Sequence, residues 1–431
     1  MIEYSRFNHV IRISSGFWAL YNFQTGVCLE LDILTKDTYD HALSIGKSDS
    51  FVRKLLKCGF LVEYDELDYL RNRSYMFSCS PEVLTLCICP TMACNFACPY
   101  CFENKHSGVM TDDIQKSVIE FVSKQIQQYN HRKLYVTWYG GEPLLALDVI
   151  ENLSKAFLDI CSKANISYYA EIITNGYFFD DKSCKRLEEC KVSKAQITLD
   201  GPYASLHDKT RKLIDGTGSF DRIINNLSSV KTSMKLDIRC NVHRENKDSF
   251  AELEKLVYQM REKTGNRIGI YPSIVDDTFT RKEGAEELSL LSRTDFQDEF
   301  AMKRLSKEKL CFSGNVCMAQ KVHAFLIDNQ GDLYKCWELA GKDGCSFGSV
   351  SDFDFFSVPD GRIEQFLTYQ DTVWPADDSE CLKCVLLPAC MGGCPKKRVI
   401  SKKHVCRYSK SHIDEYVRNA YDRKYTSSKD E

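Results

Sequence analysis

The sequence predicts an α/β protein whose centre is an open, partial (β/α)6 barrel, and two regularities between Pro81 and Ser273 predict it. Short runs rich in β-branched, aromatic and other apolar residues recur there at intervals of roughly 25 to 45 residues, the rhythm of parallel βα units. Each of the first four runs also ends in a polar or glycine-rich turn. Ligand sites in such folds gather at the C-terminal ends of the strands.

In chain order, residues 1–80 read as a small α+β segment. Short strands are expected over 9–13, 17–22 and 27–31, joined by turns at Ser14-Ser15-Gly16 and Thr25-Gly26. Helical patterns follow over 35–43 and 49–56, and Gly59 closes the second. The barrel begins with a strand over 83–89, apolar on both faces as a strand buried in a parallel sheet should be. Its second strand, 134–139, runs into Gly140-Gly141-Glu142-Pro143. The third, 169–173, ends in Thr174-Asn175-Gly176, and the fourth, 195–199, in Asp200-Gly201-Pro202. Strands over 236–242 and 267–271 complete six units.

Composition narrows the class. Apolar residues make up 43% and charged residues 27% of the chain, as in a soluble globular protein. No apolar run approaches a membrane span and the first residues lack a secretory pattern, so the expected location is the cytoplasm. A net charge of −3 supplies no overall attraction for nucleic acid or an anionic membrane. Twenty-one cysteines then need an explanation. Disulfides are disfavoured in the cytosol, so metal clusters are the economical one.

Cys94, Cys98 and Cys101 follow the first barrel strand with the spacing C-x3-C-x2-C. A cubane [4Fe-4S] cluster takes four ligands, so three thiolates leave one iron open to a small molecule. Zinc is the rival, but zinc sites usually draw four ligands from two short pairs. The spacing, with Tyr100 before the last cysteine, resembles the radical S-adenosylmethionine (radical SAM) enzymes. That resemblance implies that the amino and carboxylate groups of SAM chelate the open iron. It also gives the turns roles. Paired Gly140 and Gly141 would let backbone approach a ligand closely, Glu142 would receive the methionyl amine, and Asn175, Thr198 and Asp200 would lie near the ribose and carboxylate. His207, Asp208 and Arg211 match a frequent family sequence and are expected to cap and pair locally, without a catalytic role.

A second constellation lies downstream. Cys317-x13-Gly331-x4-Cys336, then Cys381-x2-Cys384-x5-Cys390-x3-Cys394 and Cys406, resembles the seven-cysteine pattern of SPASM domains. Cys311 makes an eighth, and eight thiolates satisfy two cubanes. The resemblance implies one auxiliary cluster on Cys311, Cys317, Cys336 and Cys394 and another on Cys381, Cys384, Cys390 and Cys406. If Cys311 does not bind, the first has an open iron. Cys345 lies nearby. The other cysteines fit no cluster pattern and are expected as small core residues. The basic residues Lys396, Lys397, Arg398, Lys402, Lys403, His404 and Arg407 read as a solvated face, or as a means of screening cluster charge or receiving an acidic peptide.

These resemblances imply three segments: 1–80, similar in topology to winged-helix domains that hold peptide leaders by strand addition, or else a structural cap; 81–300, the radical SAM core; and 301–431, the SPASM domain. They imply SAM and three [4Fe-4S] clusters as cofactors. A precursor peptide with a leader and a flavodoxin- or ferredoxin-type reductant would be the partners. The expected reaction begins with a 5′-deoxyadenosyl radical and ends in a modified peptide, foremost a thioether between a cysteine sulfur and carbon. One alternative is anaerobic sulfatase maturation, in which an aspartate follows the cysteine equivalent to Cys336. Here that position is Trp337, which accepts no proton, and Glu338 is expected to serve only if the turn is rebuilt. The other alternative is a non-enzymatic iron–sulfur carrier or sensor.

Overall fold

The computed structural model describes residues 1–275, 309–314, 316–353, 363–401, 406, 408 and 410–426. Lys402, Lys403, His404 and Arg407 of the basic run lie outside the described residues. The chain divides into two compact units, Met1–Cys79 with Gln297–Lys321 and Thr368–Glu431, and Ser80–Phe296 with Val322–Leu367. Residues 301–431 are therefore shared between the two.

In the first unit, β1 (Glu3–Tyr4) pairs with β5 (Leu61–Val62), while β2 (Asn8–Ser14), β3 (Phe17–Asn22) and β4 (Cys28–Leu31) form an antiparallel sheet in chain order. All three strands expected here are present. Asp32 caps the helix Ile33–Asp40 by accepting from the Thr35 amide, and Asp49 caps Ser50–Cys58 through the Phe51 and Val52 amides. Gly59 ends that helix in the left-handed region, at φ 80°. The helix expected over 35–43 stops early, and a separate turn of helix covers Ala42–Ile45.

A helix over Glu66–Cys79 was not foreseen from the sequence. Its buried stripe is Glu66, Leu70, Ser74 and Ser78, at i+4 spacing but mostly polar, so no apolar periodicity announces it. The stripe is satisfied by hydrogen bonds. Glu66 accepts from the Ser5 hydroxyl at 2.6 Å and the Arg6 amide at 2.7 Å. Against β2–β4 lies the helix Ile413–Tyr425. Its Tyr416, Val417 and Tyr421 share a core with Phe7, Tyr21 and Phe23.

The second unit is a nine-stranded, mostly parallel sheet. β6 (Val83–Ile88), β7 (Lys133–Trp138), β8 (Ser167–Thr174), β9 (Val192–Thr198), β10 (Lys235–Val242) and β11 (Ile268–Ile274) are the six expected strands, all parallel and adjacent in chain order. Beyond β6 the sheet continues through β12 (Ala324–Ile327), parallel to β6, and the antiparallel β13 (Asp332–Tyr334) and β14 (Gly348–Ser349). This extension was not anticipated. β13 and β14 are shorter than the runs that periodicity can identify.

Strand alternation sets what faces the site. Leu134, Val136, Trp138, Ile172, Ile197 and Ile238 are fully buried on one face. Trp138 stacks on Phe157 of the helix Leu147–Ala164, with ring centroids 6.4 Å apart. The other face carries Tyr139, Gln196, Thr198, Arg239 and Asn241 at its C-terminal end. Among the described residues no helix is long and apolar enough to cross a membrane.

Candidate active site

The loop after β6 carries Cys94, Cys98 and Cys101, and its backbone is anchored on both sides. Thr91 donates its hydroxyl to the Gly108 carbonyl at 2.6 Å and accepts from the Ala93 amide at 3.0 Å. From β7, the Gly141 amide donates to the Thr91 carbonyl at 3.2 Å and the Glu142 amide to the Ala93 carbonyl at 2.9 Å. This contact explains the paired glycines. A Cβ on Gly140 would lie 2.3 Å from the Thr91 carbonyl oxygen, and one on Gly141 would lie 2.2 Å from that of Ala93. Gly140 also has φ 113°, where side chains are strained. What approaches these glycines is the backbone of the cysteine loop itself.

All three cysteines line one cavity of about 300 Å³. Of the residues expected to hold SAM, Gly140, Gly141, Asn175 and Thr198 line it too. Glu142 and Asp200 are placed behind its wall, each fully buried. The Glu142 carboxylate accepts from the Thr174 hydroxyl at 2.6 Å, the Asn175 amide at 2.7 Å and the Leu144 amide at 3.1 Å. Burial raises its pKa, and these bonds oppose the rise. Glu142 thereby ties the turn after β7 to the turn after β8. Asp200 accepts from Tyr100 of the cysteine loop and from the Asn241 amide at 2.8 Å, tying β9 and β10 to that loop.

His207 and Asp208 behave as the sequence reading expected. Asp208 accepts from the Ser219 and Phe220 amides at 2.9 and 3.0 Å at the start of the helix Phe220–Ser229. The fully buried His207 receives the Asp200 amide on Nδ1 at 3.1 Å. Arg211 is different. It lines the cavity, donates to the Tyr100 hydroxyl at 3.0 Å, lies over the Phe96 ring at 5.3 Å, and leaves its buried Nε without a hydrogen-bond partner. Sequence reasoning passed over it because its role depends on where the loop folds back.

Two further charged residues were missed. Lys105 lines the cavity and donates to the Phe96 carbonyl at 2.6 Å. Burial pushes the Cys94 thiol up to about 11, and Lys105 acts against that rise; Arg211 and Lys105 both oppose the same effect at Cys98. Two cations thus stand where thiolates must form. Glu103, only 5% exposed, receives the Tyr139 hydroxyl on Oε1 at 2.5 Å while its buried Oε2 has no partner. Burial raises its carboxyl to about 7. Tyr139 packs against Trp337 with ring centroids 4.8 Å apart, and Trp337 and Glu338 line the same cavity. The turn Trp337–Leu339 is a 3-10 helix that carries Glu338 to this cavity.

The donor set suits a cluster with an open iron, although among the described residues no group of three or more His, Cys, Asp or Glu is placed to hold a metal ion. Three thiols line one half-open cavity with cations beside them, and Arg211 Nε and Asn95 Nδ2 are buried donors without partners. Of the downstream cysteines, Cys381, Cys384, Cys390 and Cys406 line one cavity of the first unit. Burial, Asp378 and Cys390 together raise the Cys381 thiol to about 12, as expected of crowded sulfurs. Cys317 lines another cavity of that unit, of about 340 Å³, together with Cys390. Cys311 sits against the turn between β3 and β4, where a Cβ on Gly26 would lie 3.0 Å from its sulfur. Cys394 belongs to the first unit and Cys336 and Cys345 to the second.

Comparison with known proteins agrees with the geometry. The model of the radical SAM superfamily matches residues 88–257. The chain is 23% identical over 368 residues to the cysteine-type anaerobic sulfatase-maturating enzyme of Clostridium perfringens, covering 77% of this chain and 91% of that protein. It is 23% identical over 356 residues to the serine-type enzyme of Bacteroides thetaiotaomicron, covering 71% and 80%. Among solved structures it resembles native anSMEcpe with bound AdoMet and Cp18Cys peptide, with TM-score 0.59, 21% identity and coverage of 81% and 100%. It also resembles Streptococcus suis SuiB bound to precursor peptide SuiA, with TM-score 0.52, 17% identity and coverage of 95% and 99%. The structural likenesses are of fold. With its three-cysteine loop locked onto the glycines of the next strand, the chain carries a radical SAM domain and is an enzyme of the radical SAM superfamily.

Proposed function

We propose that this enzyme is a peptide maturase that binds SAM at a [4Fe-4S] cluster held by Cys94, Cys98 and Cys101 and cross-links a ribosomally made precursor peptide through a sulfur-to-carbon thioether. A reduced cluster held by Cys94, Cys98 and Cys101 would supply one electron for cleavage of SAM to methionine and a 5′-deoxyadenosyl radical, which would take a hydrogen atom from the substrate. The observation that carries the reading is the convergence of those three cysteines, Asn175, Thr198 and Trp337 on one cavity. Gly140, Gly141, Asn175 and Thr198 are the wall that SAM would meet, and Arg211 supplies a cation suited to its carboxylate. Glu142 and Asp200 position that wall from behind.

Joining a thiol to a C–H carbon removes two hydrogens. One leaves as an atom to the adenosyl group, and the other leaves as a proton and an electron. For the proton, Glu103 is the cavity carboxylate assigned to this reading, held by Tyr139, whose ring packs against Trp337. For the electron, the reading assigns two auxiliary clusters, on Cys311, Cys317, Cys336 and Cys394 and on Cys381, Cys384, Cys390 and Cys406. Only the second set is supported by a shared cavity. Residues 1–80 are assigned to leader recognition on the strength of the β2–β4 sheet with its flanking helices, residues 81–300 to the radical SAM core and 301–431 to the SPASM domain. A flavodoxin- or ferredoxin-type protein is the proposed reductant and the cytoplasm the proposed location.

Glu338 favours a second reading, sulfatase maturation by oxidation of cysteine or serine to formylglycine, because it reaches the cavity just after Cys336. Anaerobically reconstituted, reduced protein incubated with SAM and candidate peptides separates the possibilities. A product lighter by two hydrogens and resistant to thiol alkylation supports the cross-link, whereas an aldehyde supports formylglycine. Absence of 5′-deoxyadenosine under all these conditions would defeat both.

A further inference from the structure

One member of the basic run is built into the cysteine-rich part of the first unit. Arg398 lies on the helix Pro395–Ser401, which starts directly after Cys394, and its amide donates to the Cys394 carbonyl at 3.0 Å. Its guanidinium donates through NH1 to the Thr372 carbonyl at 2.9 Å. The same group lies close beside Gly392. A Cβ built there would stand 2.9 Å from NH1 and 3.2 Å from Cζ, and Gly392 holds φ 81°. Any larger residue at 392 would displace the cation. Gly392 in turn lines the cavity that Cys381, Cys384, Cys390 and Cys406 share.

The two charged residues that line this cavity pair with each other. Lys410 pairs with Glu380 at 3.8 Å. Asp378 receives the Glu380 and Cys381 amides at 3.1 and 3.0 Å. Arg398 is held by a neutral carbonyl through NH1, so its charge is undiminished by that contact.

We infer that Arg398 sets the reduction potential of an iron–sulfur cluster held by Cys381, Cys384, Cys390 and Cys406, an inference that rests on the ligand set proposed above. A cubane with four thiolates gains one negative charge on reduction, so a fixed cation beside the wall of the cavity stabilises the reduced state more than the oxidised one. Arg398 is a tuning residue, since its guanidinium packs on Gly392 of the cavity wall and is not itself among the residues lining the cavity. An arginine suits the place because its planar group fits against a glycine backbone and stays charged at any working pH.

The test is a dithionite potentiometric titration of the full-length, reconstituted protein followed by electron paramagnetic resonance. Cys381→Ala first identifies the signal, and it should lower the iron content by about four atoms per chain. In Arg398→Gln the same signal should move to more negative potential at unchanged iron content, and Arg398→Lys should restore most of the shift. The SAM-site signal should stay where it is. An unmoved auxiliary signal in Arg398→Gln at full iron content overturns the inference. Loss of iron from that variant overturns it too, because Arg398 would then be a structural support of the loop. If Cys381→Ala leaves the iron content unchanged, the ligand set itself is wrong, which is a separate failure.

Discussion

Tyr100, the residue before the third cysteine of the loop, donates its hydroxyl to Asp200 at the end of β9. The same hydroxyl accepts from Arg211 at 3.0 Å and from the Asn241 side chain at 3.2 Å. One phenol thus fastens the cysteine loop to two strand ends and to the cavity's arginine. Removing it in Tyr100→Phe leaves a buried carboxylate short of one donor, at a cost of about 1–3 kcal/mol. Denaturant unfolding should report that loss, and iron retention after reconstitution should fall because the loop loses its tether.

Gly141→Ala should be more severe. Its Cβ would meet the Ala93 carbonyl oxygen at 2.2 Å, and backbone on both sides leaves neither partner a flexible end to move. The expected result is a protein that folds but binds less iron at the three-cysteine site, with 5′-deoxyadenosine production down at least about tenfold, equivalent to a barrier increase of about 1.4 kcal/mol. Iron assay and product chromatography measure the two effects separately.

Glu338→Gln discriminates between the two functional readings. If Glu338 takes the substrate proton in a sulfatase-type reaction, the amide should abolish turnover while leaving SAM binding in place. Under the thioether reading turnover should persist within a few-fold.

Glu103 makes the stability of the metal-free protein depend on pH. Its carboxyl is raised by burial from 4.5 to about 7, so between these values the folded state keeps a proton that the unfolded chain has released. Stability from this group is therefore present below about pH 4.5, falls as pH rises through the window, and levels off above about 7. A shift of that size is worth on the order of 3 kcal/mol. In Glu103→Gln the slope of unfolding free energy against pH over this window should flatten; an unchanged slope would mean that Glu103 is not the titrating group.

Asp208→Ala should cost about 1–2 kcal/mol through loss of its two amide acceptances at the helix Phe220–Ser229, with SAM cleavage at saturating SAM close to wild type. Thermal unfolding together with a single-turnover assay checks both parts.

The six parallel strands were legible because each is a run long enough to show its composition and each closes in a recognisable turn. β13 and β14 were not, since strands of three and two residues exist only by pairing with a neighbour. Glu66–Cys79 escaped because its buried stripe is polar and satisfied by partners up to 292 positions away, such as Gln370 on Ser78. Glu142 and Asp200 carry motif signals for ligand contact, and what their sequence could not show is that both side chains are fully buried and hydrogen-bonded to the turns around them. Lys105 and Glu103 carried no spacing signal at all, and Arg211 carried one that pointed only to local pairing.

What the sequence determined by itself is what short stretches of chain can dictate: three thiolates within one loop's reach, paired glycines where no side chain fits, and the alternation that leaves one face of the sheet polar. Only the tertiary structure decided which residues face the cavity and which support it. Tyr100 and Asp200 are 100 positions apart, and the hydrogen bond that defines both roles forms only when the parallel strands bring their C-terminal ends together.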